Sequence, residues 1–424
     1  MNQPKSNSQA YALAIIAVLF FIFGFITWLN STLIPFLKLA CELESDMQAF
    51  FVTTAFYMAY FFLAIPSAWI LKRSGYKNGM SLGLAVMALG SLLFIPAANG
   101  RSFPLFLTGL FVQGAGLALL QTASNPYASI LGPIESAAKR ISILGVCNKV
   151  AGMLSPIILG AIVLKDAQGI EEQVLAATDP LIKAQHLEEL TARIIPPYIV
   201  IAICLVILAF LTYRSGLPEI EEPKEDANGT AKARTSPFAY PHLMLGVLCL
   251  FLYVGVEVLA GDAIGTYGTS MGMSLSETKY FTSFTLFAML IGYVIGIFTI
   301  PKFISQQDAL RYSAILGILL SIGIYFTSGY TAIIFIAALG LANALMWPAI
   351  FPLAIDGLGK FTQIGSAFLI MGIAGGAIVP PLYGWLKDVN HGAGLSNNLS
   401  FFLCTAPAYL YILYYAVRGY KAGK

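Results

Sequence analysis

Few residues in this chain can do chemistry inside an apolar setting, and their types narrow what that chemistry is. Within long hydrophobic stretches lie one cation, Lys149, and two acids, Glu257 and Asp262, with Asp356 near the end of another. An ion held in hydrocarbon costs several kcal/mol unless it is paired or wet, so each is a functional candidate by default. Around them stand the amides Asn30, Gln121, Asn125, Asn148 and Asn343. An amide both donates and accepts hydrogen bonds, as recognition of an uncharged, hydroxyl-rich ligand requires. Gln121 and Asn125 are four residues apart, hence on one helical face. Trp347 and Trp28 offer ring faces for stacking, although core packing is the ordinary role of a tryptophan. The amides have ordinary roles too. Asn125 precedes Pro126 and can cap freed carbonyls, and Gln121 and Asn343 can tie neighbouring helices. None of the three histidines (186, 242, 391) lies deep in a stretch, which argues against a histidine proton relay. HExxH, paired Cys/His clusters and nucleotide loops are absent from the sequence. An enzyme is therefore not expected, nor is a cofactor.

The elements that must position these groups follow from composition. Of 424 residues, 58% are hydrophobic and 11% charged, with a net charge of +3. A soluble domain carries roughly 25% charged residues, so too few ions exist here to cover a water-exposed surface. Disorder fails on the same ground, and the near-balanced charge gives no case for nucleic acid. The five Cys (41, 147, 204, 249, 404) show no CxxC spacing and read as small apolar residues rather than disulfide or metal ligands. A helix crosses hydrocarbon in about 20 apolar residues. Twelve stretches qualify: 11–37, 47–71, 79–97, 103–131, 142–164, 194–213, 241–270, 279–299, 310–327, 330–356, 364–386 and 399–417. The first is too long for a cleaved signal and has no small-residue cleavage site.

Basic residues set the orientation. With the N-terminus inside, sixteen Lys and Arg fall in inner segments and seven in outer ones, with Lys149 inside a span. Both termini are thus expected in the cytoplasm, in a multi-pass protein of a bacterial inner membrane. Residues 1–214 form one six-helix half and 241–424 the other. The acidic, polar stretch 215–240 reads as a flexible cytoplasmic linker, and the outer stretch 165–193 as a short surface helix. An internal repeat supports the division. Gly152, Pro156 and Gly160 of span five recur at Gly376, Pro380 and Gly384 of span eleven, and Gly116 of span four recurs at Gly340 of span ten. Every offset is 224. Two six-span halves around a midplane site are the plan of transporters that rock between two access states.

That plan resembles the major facilitator superfamily. Span four is more specific: Gln121-Thr-Ala-Ser-Asn125-Pro126-Tyr127, then Leu131-Gly132-Pro133, resembles the fucose:proton symporter family, in its glucose/galactose branch. Asn30-Ser-Thr-Leu-Ile-Pro35, Cys147-Asn148-Lys149-Val-Ala-Gly152, Tyr253-Val-Gly-Val-Glu257 and Leu382-Tyr-Gly-Trp-Leu-Lys387-Asp388 agree. The resemblance implies an all-α fold of two pseudo-symmetric bundles and uptake of a sugar with a coupled ion. It also exposes two departures. The fucose branch keeps a carboxylate in the Asn-x-Leu-Ile-Pro neighbourhood and a Glu before Thr-Ala-x-Asn-Pro, whereas Ser31 and Gln121 stand here. Neither can carry a proton at physiological pH. Lys72 also stands where the superfamily's loop after span two has an Asp, which puts an Asp-based gate there in doubt.

The expected function is active uptake of a neutral hexose such as glucose or galactose by a monomer in the lipid bilayer. Gln121, Asn125, Asn30, Asn148, Lys149, Glu257, Asn343 and Trp347 are the candidate sugar ligands. With both proton positions replaced, sodium is expected ahead of protons as coupling cation, with Glu257, Asn30, Ser31 and Thr32 as its possible ligands. The alternatives are a proton-coupled sugar symporter, through Glu257, and a drug:proton exporter. Counted from the span ends, Lys149 lies roughly 10 Å deep and Glu257 roughly 24 Å. The difference argues against a direct ion pair and places Lys149 level with Asn125. Asp262 is expected to be wet at the outer end, and Asp356 to pair with Lys302, Lys360 or Arg311.

Overall fold

A computed structural model describes residues 6–130, 137–165, 169, 173–174, 179–217, 236–388 and 395–423. Helices are the only regular structure among them. That follows from the solvent: hydrocarbon offers no hydrogen-bond partner, so each crossing segment must satisfy its own backbone. Eleven described stretches are long and apolar enough to cross. Span one is Tyr11–Ala40, span four Phe103–Ala128, span five Ala138–Val163, and span six the end of Pro180–Arg214. Spans seven to twelve are Pro241–Asp262, Leu275–Thr299, Gln306–Phe326, Gly329–Ile355, Gly359–Asp388 and Asn397–Val417. The remaining stretch, Asp46–Asn99, has 54 residues, more than twice the roughly 20 that one crossing needs. It is broken at Gly75, at φ 76° and ψ 168°, a conformation open to glycine and strained for other residues. The break makes it spans two and three, and the crossings twelve.

Sequence and structure differ at the start of span five. Its helix already includes Ala137, where the described residues resume, at least five residues before the hydrophobic boundary, because Lys139 and Arg140 carry the helix beyond the apolar run. The proposed linker falls largely on 218–235, and the Leu131-Gly132-Pro133 motif on 131–133; both lie outside the described residues. Part of the proposed surface helix is seen as Pro180–Ala192, capped by the Asp179 carboxylate accepting from Leu181 N–H at 2.9 Å. It buries Leu187 and Leu190.

Span six is peripheral and exposes Val200, Ile203, Val206, Phe210 and Leu211, an apolar face suited to lipid. Spans seven, ten and eleven are the most buried. Within each half the central helices approach closely at glycines. A Cβ at Gly24 of span one would lie 1.9 Å from the Asn148 carbonyl oxygen of span five, and one at Gly375 of span eleven 1.8 Å from that of Phe251 in span seven. Spans one and five thus meet as seven and eleven do, which is the pairing that the 224-residue repeat implies. Close backbone approach through small residues is how helices pack where burial of apolar surface drives little.

We call the membrane face holding Arg214 and Pro241 the linker face, and the opposite one the far face. At the far face the halves are joined by ions. Lys387 of span eleven pairs with Asp46, which also accepts from Lys38 at 2.5 Å. Met47 N–H donates to the Asp388 carboxylate at 2.9 Å, and Thr54 Oγ1 to the Ala377 carbonyl at 2.8 Å. Toward the linker face the join is apolar: Ala138 of span five packs with Ile300, Ala309 and Leu345. Between these two closures lies the centre of the molecule.

Candidate functional site

A small central cavity of about 100 Å³ is shared by both halves. That is below the roughly 300–1,000 Å³ usual for small-molecule sites, so the side chains around it are drawn close together in this conformation. Span one contributes Phe20, Phe23, Thr27 and Trp28; span two Tyr57 and Tyr60; span four Gln121 and Asn125; span five Asn148 and Lys149. From the other half come Tyr253 and Glu257 of span seven, Tyr293 of span eight, Trp347 of span ten and Ile373 of span eleven.

Its electrostatic centre is an ion pair across the halves. Lys149 Nζ donates to Glu257 Oε1 at 2.8 Å, with both side chains buried. This corrects the expectation that depth would keep them apart. Measured from Ala137, the first described residue of its helix, Lys149 lies at least twelve residues, roughly 18 Å, along its axis. Glu257, sixteen residues from Pro241, keeps its roughly 24 Å. The lysine's four-carbon stem spans the remaining gap. The ammonium also lies 4.7 Å from the Trp28 ring centroid, a cation–π contact. Tyr253, one turn before Glu257, lines the cavity beside its carboxylate.

The polar wall opposite is span four with span two. Gln121 Nε2 donates to Tyr60 Oη at 3.0 Å, and Tyr57 stacks near Tyr60 at 6.3 Å between centroids. Asn125 Nδ2 donates to the Gln121 carbonyl at 3.1 Å. Asn125 therefore lines the cavity and also bonds its own helix one turn back. Asn148 donates to the Phe20 carbonyl at 3.2 Å. Trp347 stacks on Phe351 at 5.9 Å and 22°, leaving one indole edge to the cavity. These side chains can present a neutral ligand with donors, acceptors and ring faces, around a mutually neutralised charge pair.

Comparison with known proteins now places the fold. Residues 16–380 match the family model of the Major Facilitator Superfamily. The chain belongs to the major facilitator superfamily. Within it the sequence sits in the fucose:proton symporter family and its glucose/galactose branch, as the motifs of spans one, four and five implied. A protein of Brucella abortus named glucose/galactose transporter is 34% identical over 99% of this chain and 96% of its own. The L-fucose-proton symporter of Escherichia coli is 29% identical over 91% and 88%. A crystal structure of the E. coli fucose:proton symporter superposes with a TM-score of 0.76 at 26% identity, over 96% of this chain and 98% of that one. Superfamily members are transporters, not enzymes.

Against that family frame, most of the candidate residues meet in one place: Gln121, Asn125, Asn148, Lys149, Glu257 and Trp347 share the central cavity. Trp28, ranked below Trp347 in the sequence, touches both the cavity and the lysine. Two amides do not join them. Asn343 is fully buried, and its Oδ1 accepts from Tyr409 Oη at 2.8 Å. It ties span ten to span twelve, the ordinary role of an intramembrane amide. Asn30 is buried beyond the cavity wall, and neither of its polar atoms has a hydrogen-bond partner among the described residues. We expect Asn343→Leu to lower the melting temperature, by loss of about 1–2 kcal/mol of interhelical bonding, while leaving the transport KM within twofold or so. A large rise in KM would return Asn343 to the binding set.

The four proposed sodium ligands are not assembled. Glu257 is committed to an ammonium, and Ser31 Oγ donates to the Trp28 carbonyl at 2.8 Å. Ser31 also lines a second cavity, of about 600 Å³, at the far face. Asp262, expected to be wet, is 2% exposed. Asp356 ends span ten, where its carbonyl accepts from His242 Nε2 at 3.0 Å. The sequence reading missed the tyrosines at 57, 60 and 293. The three-residue spacing of Tyr57 and Tyr60 within span two was the available signal, since it puts two phenols on one helical face.

Proposed function

We propose that this chain takes up a neutral hexose of the glucose or galactose kind by alternating access, driven by protons rather than sodium. We place it in the bacterial cytoplasmic membrane with the linker face cytoplasmic, on the strength of the sixteen-to-seven excess of Lys and Arg. The observation that carries the reading is the chemistry of the central cavity. Its polar content is amide, phenol and one internally neutralised ion pair, between Trp28 and Trp347. A hexose offers hydroxyls that donate and accept together, and C–H faces that stack on indole. Glu257 and Gln121 Oε1 accept, Lys149 and Gln121 Nε2 donate, and the phenols do both. A drug exporter needs a large apolar chamber instead. One chain supplies the whole cavity wall, so a monomer is sufficient.

Protons are preferred because Glu257 is held by Lys149, and because relatives whose names state a coupling ion are proton symporters. The test is uptake of labelled glucose and galactose into proteoliposomes. A pH gradient, acid outside and without sodium, is expected to drive accumulation; a sodium gradient at fixed pH is not. The reverse result would overturn the choice of ion and leave the sugar standing. If lipophilic cations compete with uptake better than hexoses do, the substrate class is wrong. In the same assay Gln121→Leu leaves a sugar hydroxyl and Tyr60 unpartnered. At about 1–3 kcal/mol, KM should rise roughly 5- to 150-fold.

A further inference from the structure

Asp262 has no part in the site described above, yet its position and surroundings are unlike those of a packing residue. It ends span seven at 2% exposure, and neither carboxylate oxygen has a hydrogen-bond partner among the described residues. A carboxylate buried in that way is among the costliest groups a membrane protein can carry. Tyr57 Oη, whose phenol feels the Asp262 charge, also has no hydrogen-bond partner among the described residues, and the same holds on span one for both amide atoms of Asn30 and for Thr32 Oγ1. Spans one and seven meet here, since a Cβ on the adjoining Gly261 would lie 2.1 Å from the Trp28 ring.

The placement is between the two cavities. On span seven, Glu257 lines the central cavity, and Gly265 and Thr266 just beyond its end line the far one. Asp262 falls between them. On span one, Trp28 lines the central cavity and Ser31 the far one, with Asn30 between. Thr282 of span eight lines the far cavity and donates to the Gly261 carbonyl at 2.7 Å. The segments between the two cavities thus carry the Asp262 carboxyl and the Asn30 amide, neither with a hydrogen-bond partner among the described residues.

We propose that Asp262 is the group that binds the coupling proton, taking it from the far-face cavity and so permitting the central site to close. This rests on the proton-driven sugar uptake proposed above. The charges facing Asp262 are Glu257 on its own helix and Lys149 from span five, with the Tyr57 phenol from span two. Lys38 and Asp46 at the end of span one and start of span two, and Lys279 at the start of span eight, line the far cavity beyond it. With Asp262 ionised, the trio of Lys149, Glu257 and Asp262 carries a net charge of −1. With a proton on it, the trio is neutral. Closing both faces removes the trio from water, and a net charge resists that far more than a neutral set does. Water in the far cavity delivers the proton: an O–H bond forms on the Asp262 carboxyl as one in hydronium breaks. The return transfer, to water reaching it from the linker face, restores the carboxylate after the sugar has left.

The test uses the full chain in proteoliposomes. One proton coupled to a one-unit pH gradient sustains about tenfold accumulation. Asp262→Asn should lose that accumulation, together with sugar-dependent proton entry reported by an internal pH dye. Sugar counterflow without a gradient should persist, and its pH dependence should flatten, because a neutral amide still allows closure. Asp262→Glu should recover accumulation. On the unmodified protein, dicyclohexylcarbodiimide attacks protonated buried carboxyls, and peptide mass spectrometry should find Asp262 labelled progressively less as pH rises. Accumulation and proton entry retained in Asp262→Asn, or labelling confined to Glu257, would overturn the proposal. Accumulation driven by sodium alone would overturn it as well. Absence of sugar transport in the unmodified protein would instead sink the functional reading itself.

Discussion

Glu257→Ala and Lys149→Ala are each expected to abolish hexose uptake and to destabilise the protein, and the double variant Lys149→Met/Glu257→Leu to recover stability without uptake. The pair is buried and joined at 2.8 Å. Removing one partner strands the other charge in a low-dielectric site, which costs about 3–5 kcal/mol. Replacing both by apolar groups of similar volume removes the stranded charge, and such exchanges are often neutral. The double variant should therefore melt above either single one in detergent. Uptake should not follow, because the cavity has then lost its charged donor and charged acceptor together. Loss of a charge-assisted hydrogen bond to substrate alone is worth about 1.5–3 kcal/mol, and two are lost at once. A reduction of 100-fold or more in kcat/KM is the expected reading. Near-normal uptake in the double variant would mean that the pair only holds the halves together, and the site would have to be sought elsewhere.

The pair also shows where reading the sequence reached its limit. The fold was legible because lipid leaves the backbone no choice: apolar length alone sets where helices run, and the observed spans follow the expected ones to within a few residues at most ends. The gathering of Gln121, Asn125, Asn148, Glu257 and Trp347 was legible because polar groups in lipid have few places to go. Depth was not. Span five carries Lys139 and Arg140 on a helical turn that hydropathy assigns to solvent, and a shift of five residues moves Lys149 by roughly 7 Å. Facing was not legible either. Asn343 and Asn30 sit at depths that suit a central site, but the rotation of each helix about its own axis decides which cavity, if any, an amide meets. That rotation is set by contacts such as Tyr409 to Asn343 and Gly24 to span five. It leaves no periodic trace in helices that are apolar all round.

The far-face closure gives the second large effect, and its geometry ranks the variants in advance. Asp46 is shared by Lys38, in its own half, and by Lys387, from the other. Only the second pair crosses between the halves, so Lys38→Ala should hardly alter the balance of open and closed states. Lys387→Ala removes the crossing attraction and leaves Asp46 satisfied by Lys38, a moderate loss. Asp46→Ala removes the attraction and also leaves two ammonium groups facing each other across the closure, so it should open this face most. Coupling between two such states is typically about 1–3 kcal/mol, or roughly 5- to 150-fold in population, and Asp46→Ala belongs near the upper end. Spin labels at Leu43 and Met273, both in the wall of the far cavity, would report the populations by pulsed distance measurement. The five free cysteines must first be replaced. Uptake should fall through kcat, because a half that closes less readily turns over more slowly, while equilibrium binding of hexose to the open form is preserved. If Lys38→Ala opens the face as far as Asp46→Ala does, the closure is not the ion pair between halves. In that case the hydrogen bonds of Met47 N–H and Thr54 Oγ1 to span eleven carry it instead.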